Sequence, residues 1–475
     1  MKKIVPYIFL FSSLFTQAQY MLYGTTGGGG AYNKGTIFSY NPQTNQQMVI
    51  FSFNGTNGNQ PQCKLLYATD SLLYGETALG GSHNCGVVFS FNRKTNTENV
   101  VINYDTTNGC YEHGGNELIQ AKNGLLYGTT WAGGTHQSGV IFSYDIHTGK
   151  DSILYSFDTS ISGYGPYRAL WEDTNNGVLY GVTEIGGKYG GGVLHGFNTN
   201  IGKDSVYVNF TASAPWKPTS GFIMASNGLL YGMSQNSGPP DSGTIYNYNI
   251  STNAITQVYK FNGTAGEYPN ANGLVELSNG LIYGTTPQGG NQYGLIFSFD
   301  LGHNTEVVLE DFNDTNGYYP TGTLVQDPAT GLLYGNTYLG GSASEGVLYS
   351  FDITTSNYTK ILDFTGANGA YPLGSLTLID TSSSLGINSI NTSAGIKVYP
   401  NPNNGSFTIT LQNINAACNV EVYNVLGVKV HTESLPQNQA NNSINLTGQP
   451  SGVYFYRVLS EADGLVGEGK VVIQK

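Results

Sequence analysis

Charge is what this sequence has least of. Only 11% of its 475 residues are Asp, Glu, Lys or Arg. With 35 Tyr, 21 Phe and 65 Gly beside them, that shortage argues against both a disordered and a helical chain and fits many short strands joined by tight turns. Positive charge is scarcer still, 19 Lys plus Arg against 31 Asp plus Glu, for a formal net charge of -12. With no basic cluster to offset it, this balance excludes nucleic acid and anionic membranes as partners. Past the N-terminus no apolar run approaches the roughly 20 residues of a membrane helix, so no transmembrane segment is expected in the mature chain. A GxSxG elbow is missing, and the seven histidines fall in unrelated positions, so no nucleophilic triad can be assigned. No catalytic residue and no cofactor is expected.

What is present is a repeated phrase. LLYGTTWAGGTHQSGVIFSYD, residues 125–145, has close copies along most of the chain. The glycines of the LYG-type triplets, Gly24, Gly75, Gly128, Gly181, Gly232, Gly284 and Gly335, are 51, 53, 53, 51, 52 and 51 residues apart. So regular a period denotes one supersecondary unit copied in tandem. Each copy reads as four strands, in the sixth YPNANGLVEL, GLIYGTT, YGLIFSFD and TEVVLEDF, joined by turns rich in Gly, Asn, Asp and Thr. Four short strands per period of about 50 residues is the pattern of a β-propeller blade.

The expected fold is therefore all-β, a seven-bladed β-propeller over residues 20–380. Its first copy begins at MLYGTT without an opening strand, and its last copy is followed by a spare one, YPLGSLTLID, residues 371–380. That C-terminal strand is expected to close the ring as the innermost strand of the first blade. Tyr23, Tyr74, Tyr127, Tyr180, Tyr231, Tyr283 and Tyr334 read as wedges between blades, and the glycine after each as room for a neighbouring ring. The GG pairs, such as Gly133-Gly134, supply unusual backbone angles. They precede a strand and lack a GK[ST] ending, which sets a phosphate cradle aside. Asn41, Asp145 and Asp300 read as starts of Asx turns.

Upstream, MKKIVPYIFLFSSLFTQAQ, residues 1–19, has two lysines, a short apolar run and a small, polar end, the form of a signal peptide. Downstream, TSSSLGINSINTSAG, residues 381–395, reads as a linker. Residues 396–475 then lose the LYG motif and read as a small Ig-like β-sandwich of short alternating strands.

The phrase YPxxxLxxxxxGLLYGTTxxGGxxxxGVIFSYD resembles the GloVer tandem repeat of bacterial extracellular proteins, over residues 20–380. The tail resembles the C-terminal sorting domain, type A, of Bacteroidetes type IX secretion substrates. It carries VYPNP at Val398 to Pro402, VYNVLG at Val422 to Gly427, SGVYFYRV at Ser451 to Val458, and a terminal KVVIQK. These resemblances imply the type IX machinery as partner and a secreted or outer-surface location. They offer no established activity.

Function is best sought where copies deviate or where the ring makes a shared surface. The connections into the innermost strands carry Tyr111, Tyr164, Trp216, Tyr268, Tyr319 and Tyr371, with Gln60 breaking the series. Such rings suit glycan or protein binding at the channel mouth, or packing on neighbouring glycine loops. SHNC and CYEH bring together Cys85 and Cys110 as a candidate disulfide, with zinc held by His83, Cys85, Cys110 and His113, or pairing to Cys63, as alternatives. No metal ligand is assigned. Glu117, Glu172, Glu276 and Asp327 lie in or beside innermost strands, where a hydrolase, lyase or lactonase with a channel metal would need convergent acids. A structural or adhesion component of the cell surface is the third reading.

Overall fold

Each copy of the phrase folds in the same way. The structure, a computed structural model, describes residues 20–110, 117–211, 215–236, 242–269, 273–381, 395–412, 418–424, 428–436, 439, 441–460 and 464–475. Among these the regular elements are all β-strands. Between Tyr20 and Asp380 they make seven antiparallel sheets of four or five strands, one for each copy. The sixth shows the plan, with Val275–Glu276, Leu281–Thr286, Leu295–Asp300 and Thr305–Asp311 side by side in chain order.

Local chemistry sets these boundaries. Asp145 Oδ1 accepts the His147 N–H at 2.9 Å, Asp300 Oδ1 that of Gly302 at 2.7 Å, and Asn41 Oδ1 that of Gln43 at 2.9 Å. These Asx turns reverse the chain into the outermost strand. There the register slips by one residue beside the third-strand aromatic, as between Ile37 and Phe38 or Ile296 and Phe297. Such a bulge adds twist to the outer edge.

The sheets meet face to face. All seven LYG-type tyrosines are buried, and each belongs to an apolar cluster spanning two sheets. Tyr127 packs with Leu179 and Phe197 of the next sheet, and Tyr231 with Ile282 and Phe297. Tyr334, in the last sheet, packs with Leu22 and Phe38 of the first. Burying one such ring contributes about 4–6 kcal/mol before chain entropy is subtracted. The glycine that follows makes room, since a Cβ on Gly128 would stand 2.5 Å from the Phe142 ring.

Thr377–Asp380 supplies the strand that the first copy lacks. It pairs antiparallel with Tyr20–Thr26, with Met21 opposite Ile379 and Leu22 opposite Leu378.

Contacts divide the chain at Asp380 and Thr381 into two units. In the second, Gly395–Tyr399, Ser406–Gln412 and Asn441–Asn445 form one sheet. Lys429–Leu435, Cys418–Asn424, Gly452–Ser460 and Gly464–Ile473 form another. The alternation of Ser406–Gln412 and Cys418–Asn424 delivers Phe407, Ile409, Val420 and Val422 to a single apolar cluster shared by both sheets. Cys418 is buried within it.

Candidate functional site

Antiparallel order places the GG loops and the connections between sheets at one end of every sheet, and the Asx turns at the other. At the first end one backbone device recurs. Gln60, Gly165, Lys217, Tyr268, Tyr319 and Tyr371 each precede a proline and each have φ between 47° and 65°. A residue before proline ordinarily prefers extended backbone. Here the left-handed turn aims its N–H at the loop of the preceding sheet: Tyr268 donates to Ser242 O at 3.0 Å, Tyr319 to Tyr293 O at 3.0 Å, and Tyr371 to Glu345 O at 2.8 Å. The proline ring then fills the place a side chain on the loop glycine would need. A Cβ on Gly243 would lie 2.3 Å from Pro269, and one on Gly294 2.7 Å from Pro320.

This device divides the aromatic series. Tyr268, Tyr319 and Tyr371 occupy the left-handed position itself, whereas Tyr164 and Trp216 stand one residue earlier, before Gly165 and Lys217. Tyr111 and His113 lie outside the described residues. All five described rings are partly exposed and partly packed. Tyr164 meets Trp131 edge-on with centroids 4.5 Å apart. Tyr371 stands 5.5 Å from Tyr338, and Tyr338 6.2 Å from Tyr319, so three rings form a run across two connections. Glycine loops complete the seats: a Cβ on Gly28 would be 3.1 Å from Tyr371, and one on Gly191 3.1 Å from Trp216.

Trp131, Glu184 and Tyr338 were missed by the sequence reading. They hold the third position after the LYG-type glycine, which is Gly27, Ala78, Trp131, Glu184, Gln235, Pro287 and Tyr338 in successive copies. Its variability against a constant frame was the available signal. Tyr167 lies close enough to Glu184 and Tyr319 to feel both. Burial raises its hydroxyl pKa, Arg168 beside it lowers it, and Glu184 and Tyr319 raise it further.

Residues in or just before the innermost strands of different sheets meet. Ser375 Oγ donates to Glu117 Oε1 at 3.1 Å and accepts the Thr323 N–H at 3.0 Å. Arg168 Nη1 is 4.0 Å from the same Glu117 oxygen, with its side chain buried and its backbone at φ 65°. The other three acids are used at the opposite end of the sheets. Glu172 accepts the Lys122 N–H at 2.9 Å, Glu276 that of Ser226 at 2.7 Å, and Asp327 that of Ala329 at 2.9 Å in its own turn. The four acids therefore do not converge, and an arginine stands beside Glu117. Among the described residues no group of three or more His, Cys, Asp or Glu side chains is arranged to hold a metal ion.

Cys85 and Cys110 are joined as a disulfide, which links the loop of the second sheet to the connection leaving it. Neither thiolate is then available to zinc, and Cys63 is a buried free thiol. Burial pushes the Cys63 thiol pKa up, partly opposed by the Glu76 N–H, which donates to its sulfur at 3.1 Å.

The family described as Gloeobacter/Verrucomicrobia repeat matches residues 11–176 and 166–396. The secretion system C-terminal sorting domain matches residues 397–474. No curated protein matches the chain. Among solved structures, a putative 6-phosphogluconolactonase from Bacteroides fragilis is similar at TM-score 0.52 and 15% identity, over 78% of this chain and 99% of that one. Another from Bacteroides uniformis has TM-score 0.52 and 13% identity, over 76% and 100%. PorZ, a surface component of the type IX secretion system of Porphyromonas gingivalis, has TM-score 0.44 and 15% identity, over 93% and 63%. At such identities the likeness to the first two concerns a propeller-like fold and not an activity.

Proposed function

The chain belongs to the Gloeobacter/Verrucomicrobia repeat family and ends in a type IX sorting domain, and from this we propose an exported, non-catalytic, seven-bladed β-propeller that binds a glycan or protein at the cell surface. The sorting domain ties the chain to the type IX machinery and directs it to the cell surface or beyond. The domains in this reading are a signal peptide at 1–19, the ring at 20–380, a linker at 381–395 and a sandwich-type sorting domain at 396–475. Ring closure is supported by the pairing of Thr377–Asp380 with the first strand and by the apolar cluster joining last sheet to first.

The observation that carries the binding role is the run Tyr319, Tyr338 and Tyr371, partly exposed rings held in register by loop glycines and prolines at one end of the sheets. Rings fixed in advance lose little entropy on binding and offer flat faces to sugars or to apolar side chains. A metal-dependent lactonase has less support, because the candidate acids bond to separate turns and an arginine faces Glu117. A purely structural surface role differs in needing no ligand.

Two measurements test the proposal. Glycan-array and surface-extract binding should fall at least about tenfold in Tyr338→Ala and Tyr371→Ala; unchanged binding would overturn the assignment of this face. Cells expressing a chain ending at Asp380 should retain it in the periplasm, and full-yield appearance outside the cell would contradict the export route.

A further inference from the structure

At the opposite end of the sheets, neighbours are tied by a repeated bond. The Gln or Glu near the end of an innermost strand reaches the turn of the preceding sheet: Gln120 Oε1 accepts the Thr69 N–H at 2.9 Å, Glu172 that of Lys122 at 2.9 Å, and Glu276 that of Ser226 at 2.7 Å. The bond is made at these three of the seven junctions; among the described residues it is absent where the equivalent residue is Tyr67, Gln326 or Leu378, and also between the fourth and fifth sheets. At that last junction the equivalent residue is Met224, which has no carboxylate or amide to offer and is 37% exposed. The turn it would have met is also longer, since Leu170 to Gly181 is eleven residues where Leu118 to Gly128 and Phe222 to Gly232 are ten. A crevice of about 380 Å³ opens there, lined by Trp171, Met224 and Ile250 together with Asp173, Asn175 and Ser251. Trp171 holds a position that is aliphatic in the neighbouring copies, Ile119, Ile223 and Val275.

We propose that this crevice binds a neutral pyranose of one or two sugar units. The proposal deepens the binding role above and depends on it for the class of ligand, but places this ligand at the end opposite the tyrosine mouth. A partly exposed indole gives the flat apolar face on which the C–H side of a pyranose stacks. Asp173, whose Oδ1 already accepts the Asn175 N–H at 3.1 Å, keeps a second carboxylate oxygen for sugar hydroxyls, and Ser251 and Asn175 add further polar groups. No Lys or Arg lines the crevice, and the chain carries a net charge of -12, which selects against phosphorylated, sulfated or uronic sugars. The volume lies at the small end of ligand sites, roughly 300–1,000 Å³, and holds a short saccharide rather than a polymer.

The test uses the full chain and a panel of methyl gluco-, galacto- and mannopyranosides with lactose, maltose and cellobiose, followed by saturation-transfer NMR and calorimetry. At least one neutral probe should bind saturably, with affinity falling about tenfold or more in Trp171→Ala and Asp173→Ala. Trp171 also packs against Tyr180, so Asp173→Ala and Met224→Glu, which supplies the tie and closes the crevice, decide the matter if Trp171→Ala folds poorly. No saturable binding by any probe, or binding unaffected in Asp173→Ala and Met224→Glu, overturns the crevice site. If those variants bind normally while Tyr371→Ala does not, the tyrosine mouth stands and the crevice site alone falls.

Discussion

A methyl group placed on Gly128 would sit 2.5 Å from Phe142 and 2.7 Å from Leu118, both inside the sheet interface. Neither ring nor leucine can retreat without disturbing a neighbouring sheet, so Gly128→Ala should cost about 1–3 kcal/mol and lower the melting temperature by several degrees in calorimetry. That glycine and its tyrosine were legible because every copy repeats them. Glu76 is a different kind of residue, a carboxyl where other copies carry Thr25, Thr129 or Thr285. It is buried, Oε1 accepts the Tyr104 hydroxyl at 2.6 Å, and Oε2 has no partner among the described residues. Burial raises its pKa to about 8, against a smaller lowering by Tyr104. The folded chain thus holds a proton that the unfolded chain releases near the ordinary glutamate value of 4.5, and stability from this group declines as pH rises from about 4.5 to 8. Glu98 and Glu306, pushed up to about 7 chiefly by burial, act in the same direction. Replacement by the neutral isostere, Glu76→Gln, should flatten part of the fall in melting temperature between pH 5 and pH 8; a parallel profile would show that Glu76 is not the titrating group.

At the scale of the element, the most informative piece is the one displaced furthest in sequence. Thr377–Asp380 pairs with Tyr20–Thr26, and Leu376 joins the cluster of Leu22, Phe38 and Tyr334. Deleting residues 371–380 within the full chain would bare one edge of the first sheet and remove an apolar contact to the last. The expected result is aggregation and a lowered melting temperature by light scattering and calorimetry; a monomer with unchanged melting would contradict the role given to this strand. This element could be read in advance because an unpaired opening at one end of the array matched a surplus strand at the other. The placement of the aromatic residues was harder to read. Tyr164 and Trp216 are followed by Pro only after one further residue, where Tyr268, Tyr319 and Tyr371 precede it directly, and the backbone angles show that the left-handed position accordingly falls on Gly165 and Lys217. Trp171 and Met224 were equally silent, since what sets them apart is the crevice they line between two sheets, which no single copy of the phrase displays.

Across residues 20–380, the last strand pairs with the first, and the first and last sheets share an apolar cluster. Contacts among Glu117, Arg168, Thr323 and Ser375 bring together segments far apart in sequence, which supports the ring proposed above. Composition and period were enough to expect that arrangement, while the tail motifs indicated the destination. Neither indicated that an arginine would stand beside Glu117, because Arg168 lies within the register shift between Tyr167 and Trp171 that no repeat predicts. The most direct test of the central claim is a cross-link between the chain's two distant strands. Met21 and Ile379 are paired across the ladder, so a chain carrying Met21→Cys and Ile379→Cys should form that disulfide under mild oxidation, yielding a linked peptide by mass spectrometry and a higher melting temperature than its reduced form. Two free thiols under the same conditions, with no linked peptide and no change in melting, would mean that the first and last strands do not meet.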